Sequence, residues 1–591
     1  MSGASPILRA KYSPTMSQVS KHPARPSTPP KTPQAPPASQ SRGSSKAYAL
    51  MASGTMVSRV LGFIRTALLA VAIGSSTTMA DIFEKANVIP TIIFMLLAGG
   101  IFNVVLVPQL IKASKASDRG SSYTSKLVTL TIVVMGLATV LLTFLAGPLI
   151  KTLTLDWTEP MIAMGTTFAY WCLPQIFFYG VYAVIGQVLN AHNRFTAYMW
   201  SPVANNLVQI CTIGTFIILF GSYNGVDQLN NWTNEQTLLL AGGATLGIVV
   251  QALALFWPLR KVGLNLRPDF SWRGMGLRHV GKLAIWTLAS MMVGNIASLI
   301  NSKFVSATAS ARLALPGGGA SVPGEQALNT SQLITVLPHS IFALTLATML
   351  FNEFTKAFHE KRRDDIAPLL SRGLRTTAVP IVFASVAFIV LAGPLGRLFA
   401  GSSPTSMEQG AAIGQLLLLT TLGLPFKSIH FFMIRVFFAE EDTKTPMLIQ
   451  SIIAGFCVVL AFAAVQLLPP TEIARAVALI YGVSNVLSAV IAHFLVVRRY
   501  GDYGAKEVAD TYIRIGVMAT VSGLIGAGVL WLLGGYHWGF AWSSIGAAVI
   551  SIAVVGAVMA VIYVVLLRMI RSEELDNFLG PIARKIPQLR R

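Results

Sequence analysis

The sequence predicts an all-α polytopic membrane protein of about fourteen transmembrane helices, with two parallel six-helix lobes followed by two extra helices. Three observations lead to this fold class. The 591 residues are 53% hydrophobic and only 12% charged, whereas soluble domains carry roughly 25% charged residues. Lys and Arg, which give the chain a net charge of +21, stand in short clusters between apolar stretches. Short motifs also recur at a nearly constant spacing.

The apolar stretches begin at residue 47, and each is long enough to cross a hydrocarbon core of ~30 Å as a helix. We place them at 47–73, 86–110, 127–150, 161–190, 200–221, 237–259, 283–306, 328–352, 376–397, 411–438, 447–468, 476–497, 513–534 and 542–567.

The distribution of basic residues predicts which helix ends face the cytoplasm. With the N-terminus inside, 35 of the 45 Lys and Arg residues fall on the inner side, and five fall in outer loops: Lys85, Lys151, Arg312, Arg397 and Arg475. Cytoplasmic loops are enriched in Lys and Arg, and a helix missed in mid-chain would reverse every later loop. We therefore expect a multi-pass protein of the cell (plasma or inner) membrane with both termini in the cytoplasm.

Three motifs indicate that the chain is duplicated. Leu145–Leu149 recurs as Leu391–Leu395, Phe102-Asn103 as Phe351-Asn352, and Leu173-Pro174 as Leu424-Pro425, each about 250 residues later. This spacing covers six helices, an even number, so the two copies share one orientation. Paired lobes of this kind can give alternating access to a site between them.

The duplication and the composition divide the chain into five regions. They are a basic, Pro-rich cytoplasmic tail predicted to be disordered (1–46), an N-lobe (47–260), a C-lobe (261–499), an extra helix pair (500–569) and a second basic tail (570–591).

Five cations fall within predicted helices, although a charge at the bilayer centre costs at least ~2.5–3.5 kcal/mol. Arg59 and Arg65 lie in the first helix, the former near the midplane. Lys303 lies in the outer part of the seventh helix, and Lys427 lies near the middle of the tenth. Arg435, towards the cytoplasmic end of the tenth helix, is expected to reach the interface by snorkelling.

Carboxylates that would neutralise these cations are nearly absent from the predicted spans. Asp81 and Glu84 are the nearest in sequence, and they are expected in the first outer loop. The cations should therefore face a water-filled cavity that receives an anion, and a diphosphate or other polyanion suits Arg59, Arg65 and Lys303. Since ion-coupled carriers usually place carboxylates in the membrane, we expect the membrane potential to drive transport.

The residue pattern favours a transporter over an enzyme. Cys172, Cys211 and Cys457 lie in apolar stretches without metal-binding spacing, the histidines are scattered, and the sequence has no Walker A loop. We expect no catalytic activity, no cofactor and no nucleic-acid partner.

Three segments carry a family resemblance: SRVLGFIR at Ser58–Arg65, GQVLNAHNRF at Gly186–Phe195 and FAEEDTKTP at Phe438–Pro446. They resemble, respectively, the first-helix signature and two helix-connecting turns of the MurJ (MviN) lipid II flippases, in the multidrug/oligosaccharidyl-lipid/polysaccharide exporter superfamily. The resemblance spans about residues 47–569. It implies transport of lipid II, the undecaprenyl-diphosphate-linked peptidoglycan precursor, from the inner to the outer leaflet.

The resemblance also implies that Arg59, Arg65 and Asp81 bind the substrate, and Lys303 and Lys427 complete the predicted site. At Thr66, at Phe94-Met95 and at Gln332-Leu333 this chain lacks charged residues that many relatives carry. The expected partners are the membrane, lipid II or a similar polyprenyl-diphosphate lipid and, as further candidates, proteins of cell-wall synthesis.

Other interpretations remain open. A flippase for another polyprenyl-linked oligosaccharide would use the same cationic cavity. A drug/cation antiporter is disfavoured by the lack of carboxylates in the predicted spans. A membrane scaffold of cell-wall assembly would use the basic tails and loops, but it leaves Arg59 and Arg65 unexplained.

Overall fold

α-Helices occupy each of the fourteen predicted spans, at least in part, and the described residues contain no β-strand. The structure is a computed structural model, and it describes residues 40–96, 109–110, 113, 118, 120–192, 194–226, 229–272 and 277–583. The chain divides into two units, Met1–Ala49 and Leu50–Arg591. The hydrophobic clusters lie in the second unit.

Helix α1 (Gln40–Ile73) begins in the first unit and continues into the first half of the second unit. The helices of that half are α1, α2 (Thr78–Met95), α3 (Ser121–Phe144), α4 (Ala146–Leu153), α5 (Glu159–Cys172), α6 (Gln175–Ala191), α7 (Phe195–Phe220), α8 (Asn234–Thr237), α9 (Gly243–Leu253) and α10 (Phe256–Arg260). A π-helical turn at Leu238–Gly242 joins α8 to α9.

The second half and the extra pair follow in the same manner. Their helices are α11 (Leu277–Val305), α12 (Ala307–Leu313), α13 (Glu325–Pro338), α14 (Leu344–His359), α15 (Ile366–Val390), α16 (Ala392–Leu398), α17 (Ser406–Thr421), α18 (Leu424–Ala439), α19 (Lys444–Leu467), α20 (Ile473–Tyr500), α21 (Ala505–Leu532), α22 (Phe540–Ser543), α23 (Ile545–Met569) and α24 (Glu573–Ala583). A second π-helical turn, His339–Ala343, joins α13 to α14.

Membrane-spanning length and composition are met by some of these helices alone and by others only where consecutive helices join. Among the described residues, eleven helical segments are long and apolar enough to cross a membrane, and α17 with α18, bent by 43°, makes up to twelve. The fold class is confirmed, whereas the total of fourteen spans stays a prediction.

Helix α2 begins earlier than its apolar stretch, which we place at 86–110. Helix α2 begins at Thr78, because the Thr77 side chain caps it by accepting a hydrogen bond from the Ala80 N–H at 3.1 Å. Asp81 and Glu84 therefore lie inside a helix, and their predicted place in an outer loop is wrong. Hydropathy marks the apolar part of a helix, whereas a polar cap decides where the helix starts.

The two tails also contain helix. Helix α1 begins at Gln40, inside the tail predicted to be disordered, and residues 1–39 lie outside the described residues. Helix α24 lies inside the second tail, where the Arg514 guanidinium of α21 pairs with the Glu574 carboxylate at 2.9 Å. Residues 584–591 of that tail lie outside the described residues.

The duplication appears as equal breaks in the helices of the two halves. Leu145 separates α3 from α4 with φ −90° and ψ 14°, and Leu391 separates α15 from α16 with φ −91° and ψ 8°. Leu173-Pro174 likewise lies at the break between α5 and α6, and Leu424-Pro425 opens α18 after its bend. The remaining motif is described only in its second copy, because Phe102-Asn103 lies outside the described residues.

The segment that leads from the first half to the second is tied to α3. The backbone N–H groups of Asn265, Arg267 and Asp269 donate to the hydroxyls of Ser121, Ser125 and Thr129 at 3.4, 3.1 and 3.0 Å. Two residues of extended chain rise about as far as one helical turn. Alternate residues of the segment therefore meet every fourth residue of α3.

Helices α16 and α17 pack through glycines. A Cβ atom on Gly396 would meet the carbonyl oxygen of Gly410, and it would lie 2.8 Å from the backbone nitrogen of Gly414. Because backbone atoms cannot rotate away as a side chain can, this contact requires glycine at position 396.

We expect Gly396→Ala to lower the melting temperature of the purified protein in detergent. The added methyl group overpacks the contact between α16 and α17, and overpacking costs about 1–3 kcal/mol. The matched control is Gly455→Ala in α19, where a Cβ would meet nothing within 4 Å. That control should melt at the wild-type temperature or slightly above it, since alanine favours helix over glycine. Equal melting temperatures for the two variants would contradict the packing argument.

Candidate functional site

Two cavities lie among the helices and share one wall. The smaller, about 210 Å³, is lined by residues of α1, α2, α7, α9 and α13. The larger, about 800 Å³, is lined by residues of α11, α13 and α17 to α20. Asn329 and Leu333 of α13 line both cavities. Helix α13 is therefore the partition between a cavity of the first half and a cavity of the second.

The smaller cavity contains both a cation and a carboxylate. Arg65 lines it and donates from Nη1 to the Gln209 carboxamide oxygen at 3.3 Å. Glu84 lines it as well and accepts from the Asn329 amide nitrogen at 2.9 Å. The expectation that the buried cations have no carboxylate near them is thus wrong for Arg65. Helix α2 begins early enough to carry Glu84 into the same cavity.

Arg59 lies six residues before Arg65 in α1 and reaches a different partner. The Arg59 guanidinium donates to the hydroxyl of Ser340 in the second half. Six residues of helix rotate the chain by about 600°, so the two side chains point roughly 120° apart. Arg59 is half-buried, and it lines neither of the two cavities.

Asp81 lies in a buried ion pair between the halves. Its carboxylate pairs with the Arg312 guanidinium and also accepts from the Gln326 backbone N–H at 2.9 Å. Asp81 and Arg312 are 1% and 0% exposed, although the sequence placed both in outer loops. A Cβ atom on Gly324 would collide with both charged groups, so glycine is required beside the pair.

A second buried ion pair lies beside the first. The Lys85 ammonium is 2.6 Å from the Glu325 carboxylate, and both side chains are nearly inaccessible. Lys85 was also expected in an outer loop, and it lies in α2 instead. Nearby, the carboxamide oxygen of Gln409 accepts from the backbone N–H of Ser75 at 2.7 Å.

These contacts close one end of the helix assembly, which we call the sealed end. It is defined by the ion pairs Asp81–Arg312 and Lys85–Glu325 and by the Ser75–Gln409 hydrogen bond. The indole nitrogen of Trp157 adds a bond to the Ser306 carbonyl at 3.0 Å. Hydrogen bonds between the halves concentrate here, and the Arg59–Ser340 bond lies away from this end.

The larger cavity combines one lysine, two histidines and many neutral polar groups. Lys427 and His430 of α18 line it, and His339 lines it from the π-helical turn after α13. Two of the histidines that are scattered in sequence thus line one cavity. Its carboxamides are Asn295, Asn301, Asn329, Gln332, Gln450 and Asn485. The sequence-based prediction missed these carboxamides, although polar side chains inside apolar helices could have indicated them.

Two of the buried cations lie elsewhere. Lys303 is half-buried on α11 and lines neither of the two cavities, so its assignment to the site stays a prediction. The Arg435 guanidinium lies 4.5 Å from the centre of the Phe431 ring. This cation–π contact fits a structural role for Arg435.

We expect Asp81→Asn to destabilise the protein, because it leaves the fully buried Arg312 without a counter-charge. Breaking a buried ion pair by removing one partner costs on the order of 3–5 kcal/mol. The double variant Asp81→Asn with Arg312→Gln should recover part of the loss, and thermal unfolding in detergent measures both. The control, Glu360→Gln, breaks an exposed pair with Arg362 and should leave the melting temperature unchanged. A single variant as stable as wild type would contradict a structural role for this pair.

Comparison with known proteins gives one consistent result. The family model described as "Lipid II flippase MurJ" matches residues 69–542. The chain is 27% identical to a probable lipid II flippase MurJ of Rhizobium meliloti (strain 1021), over 73% of this chain and 77% of that protein. It is also 27% identical to a protein of the same description from Vibrio cholerae, over 68% and 74%.

Solved structures show a similar fold. One described as lipid II flippase MurJ in an inward closed conformation aligns with a TM-score of 0.66, at 17% identity, over 88% of this chain and 99% of its own. An inward-facing multidrug transporter of the MATE family aligns with a TM-score of 0.58, at 14% identity, over 74% and 98%.

Proposed function

The chain belongs to the lipid II flippase MurJ family and is a membrane transporter rather than an enzyme, and from this premise we propose that it moves lipid II from the inner to the outer leaflet. The observation that carries the proposal is the position of Arg65. Its guanidinium lines a cavity between the two halves, beside hydrogen-bonding side chains of both. Guanidinium groups match the geometry of phosphate oxygens, so this cavity suits the diphosphate of the lipid.

The other predicted site residues take different places in this proposal. Lys427 lines the larger cavity and adds positive charge for the headgroup. Arg59 is half-buried against Ser340, near the partition between the cavities. Asp81 is enclosed by Arg312 and Gln326, so its contact with substrate requires the sealed end to separate.

We further propose alternating access with the sealed end outside. Helix α1 ends at Ile73, next to Ser75 of the sealed end, and the distribution of Lys and Arg assigns the start of α1 to the cytoplasm. Lipid II would enter from the cytoplasmic side, and separation of the sealed end would release it outwards. The protein would lie in the plasma or inner membrane with both termini in the cytoplasm.

The drive that we propose is the membrane potential, which supplies ~2.3 kcal/mol per charge per 100 mV. Glu84 lines the same cavity as Arg65. Among the described residues of that lining, it is the carboxylate that could couple transport to protons instead of to the membrane potential. Glu325 and Asp81 are engaged in ion pairs. Proton coupling would require the Glu84 carboxylate, whereas a drive by the membrane potential would not.

We expect Arg65→Gln to reduce lipid II transport at least tenfold while the protein still inserts and folds. The substitution removes charge-assisted hydrogen bonds to the diphosphate, each worth roughly 1.5–3 kcal/mol. The measurement is lipid II exposed on the outer face of cells depleted of the native protein and supplied with the variant. Arg59→Gln should also reduce exposure.

The control for this experiment is Lys506→Gln, an exposed lysine at the start of α21, which should transport as wild type does. Full complementation by both arginine variants would overturn the proposed site. If depletion leaves lipid II exposure unchanged and another polyprenyl-linked lipid accumulates inside, the protein is a flippase for that other lipid.

The drive is tested with Glu84→Gln in vesicles that hold a potassium diffusion potential. Under the potential-driven proposal, transport should follow the potential in both wild type and variant, and it should persist without sodium. A wild-type rate that follows a pH gradient at zero potential, and is lost in Glu84→Gln, would replace the membrane potential by proton coupling. Transport that stops on removal of sodium at constant potential would contradict the proposal as well.

A further inference from the structure

The larger cavity has a chemistry different from that of the smaller one. Among the residues that line it, Lys427 is the only fully charged group, and no carboxylate is present. Carboxamides and hydroxyls make up most of its polar lining, for example Gln450, Asn485 and Thr420. Because a carboxamide both donates and accepts hydrogen bonds, such a lining suits amide and sugar groups.

Lys427 is accompanied by two imidazole rings. His430 follows three residues later in α18, so the two side chains share one face of the helix. His339 approaches from the π-helical turn after α13, and its Nδ1 lies 3.0 Å from the Ser428 hydroxyl. The His430 Nε2 atom is buried and has no hydrogen-bond partner among the described residues. One ammonium group and a ring nitrogen without a described partner thus lie on the same face of α18.

A lone ammonium inside a protein is costly unless an opposite charge accompanies it. The lining residues contributed by α11, α13, α17, α19 and α20 include no acidic side chain. A ligand that carries a negative charge would therefore supply the compensating charge that the lining lacks. One lysine balances a single negative charge, whereas the guanidinium of Arg65 in the smaller cavity is better matched to the paired oxygens of a phosphate.

We propose that the larger cavity is a second subsite that binds a carboxylate of the peptide carried by the lipid headgroup, through Lys427 and His430, while the diphosphate lies against Arg65. This inference rests on the proposed function and extends it to the peptide part of the substrate. The larger cavity has a volume of about 800 Å³, which lies within the range of pockets that enclose small ligands, ~300–1,000 Å³. The two subsites adjoin at Asn329 and Leu333, so one headgroup can occupy both.

The test measures the affinity of the full chain in nanodiscs for three short-chain ligands. The first is a bare polyprenyl diphosphate, the second the same diphosphate bearing the disaccharide and peptide with free carboxylates, and the third its fully amidated form. Wild type should bind the second at least tenfold more tightly than the third. Lys427→Gln should remove this ratio, and it should lower the affinity for the bare diphosphate far less than Arg65→Gln does. Arg65→Gln should weaken the binding of all three.

Two further variants separate binding from folding. Lys427→Arg keeps the positive charge and should keep most of the ratio, whereas His430→Gln should reduce it. A Lys427→Gln variant that preserves the wild-type ratio would overturn the subsite. The subsite would also be overturned if Lys427→Gln lost as much affinity for the bare diphosphate as Arg65→Gln does, because the diphosphate would then bind at Lys427. If wild type binds none of the three ligands, the proposed function itself fails.

Discussion

The buried ion pairs between the halves constrain the whole structure. Asp81, Arg312, Lys85 and Glu325 are almost completely shielded from solvent, and a charge without its partner in such a place costs several kcal/mol. Partial separation would leave charges that are neither paired nor hydrated. The two halves can therefore be together with the pairs intact, or far enough apart for water to hydrate all four groups. An interface of this kind favours two discrete arrangements over a continuous range, as alternating access requires.

Much of the fold could be predicted from the sequence, because hydropathy and the distribution of Lys and Arg respond directly to the bilayer. The repeated motif at Leu145 and Leu391 also marked breaks of nearly equal geometry. In the site, Arg65 and Lys427 were identifiable because each is a charge inside an apolar stretch. The pairing of Asp81 with Arg312 was not, since it depends on helix starts set by caps and on contacts between residues 231 positions apart.

Three of the departures from the family pattern fall on the cavity walls. Thr66, Gln332 and Leu333 all line one or both cavities, at positions where many relatives are expected to carry charge. Phe94 instead stacks on Tyr179, with ring centres 4.6 Å apart, so that position is used for packing. Two of the three wall positions, Thr66 and Gln332, thus carry neutral hydrogen-bonding groups where the family resemblance implies charge.

Helix α13 belongs by sequence to the second half, yet its first turns are bonded to α2 of the first half, through Gln326 to Asp81 and through Asn329 to Glu84. Asn329 is also part of both cavity linings. In the proposed alternating-access cycle, rupture of the bonds at the sealed end would therefore displace a wall shared by both cavities. Under that proposal, opening of the sealed end and release of the headgroup would be mechanically coupled, and no separate signal for release would be needed.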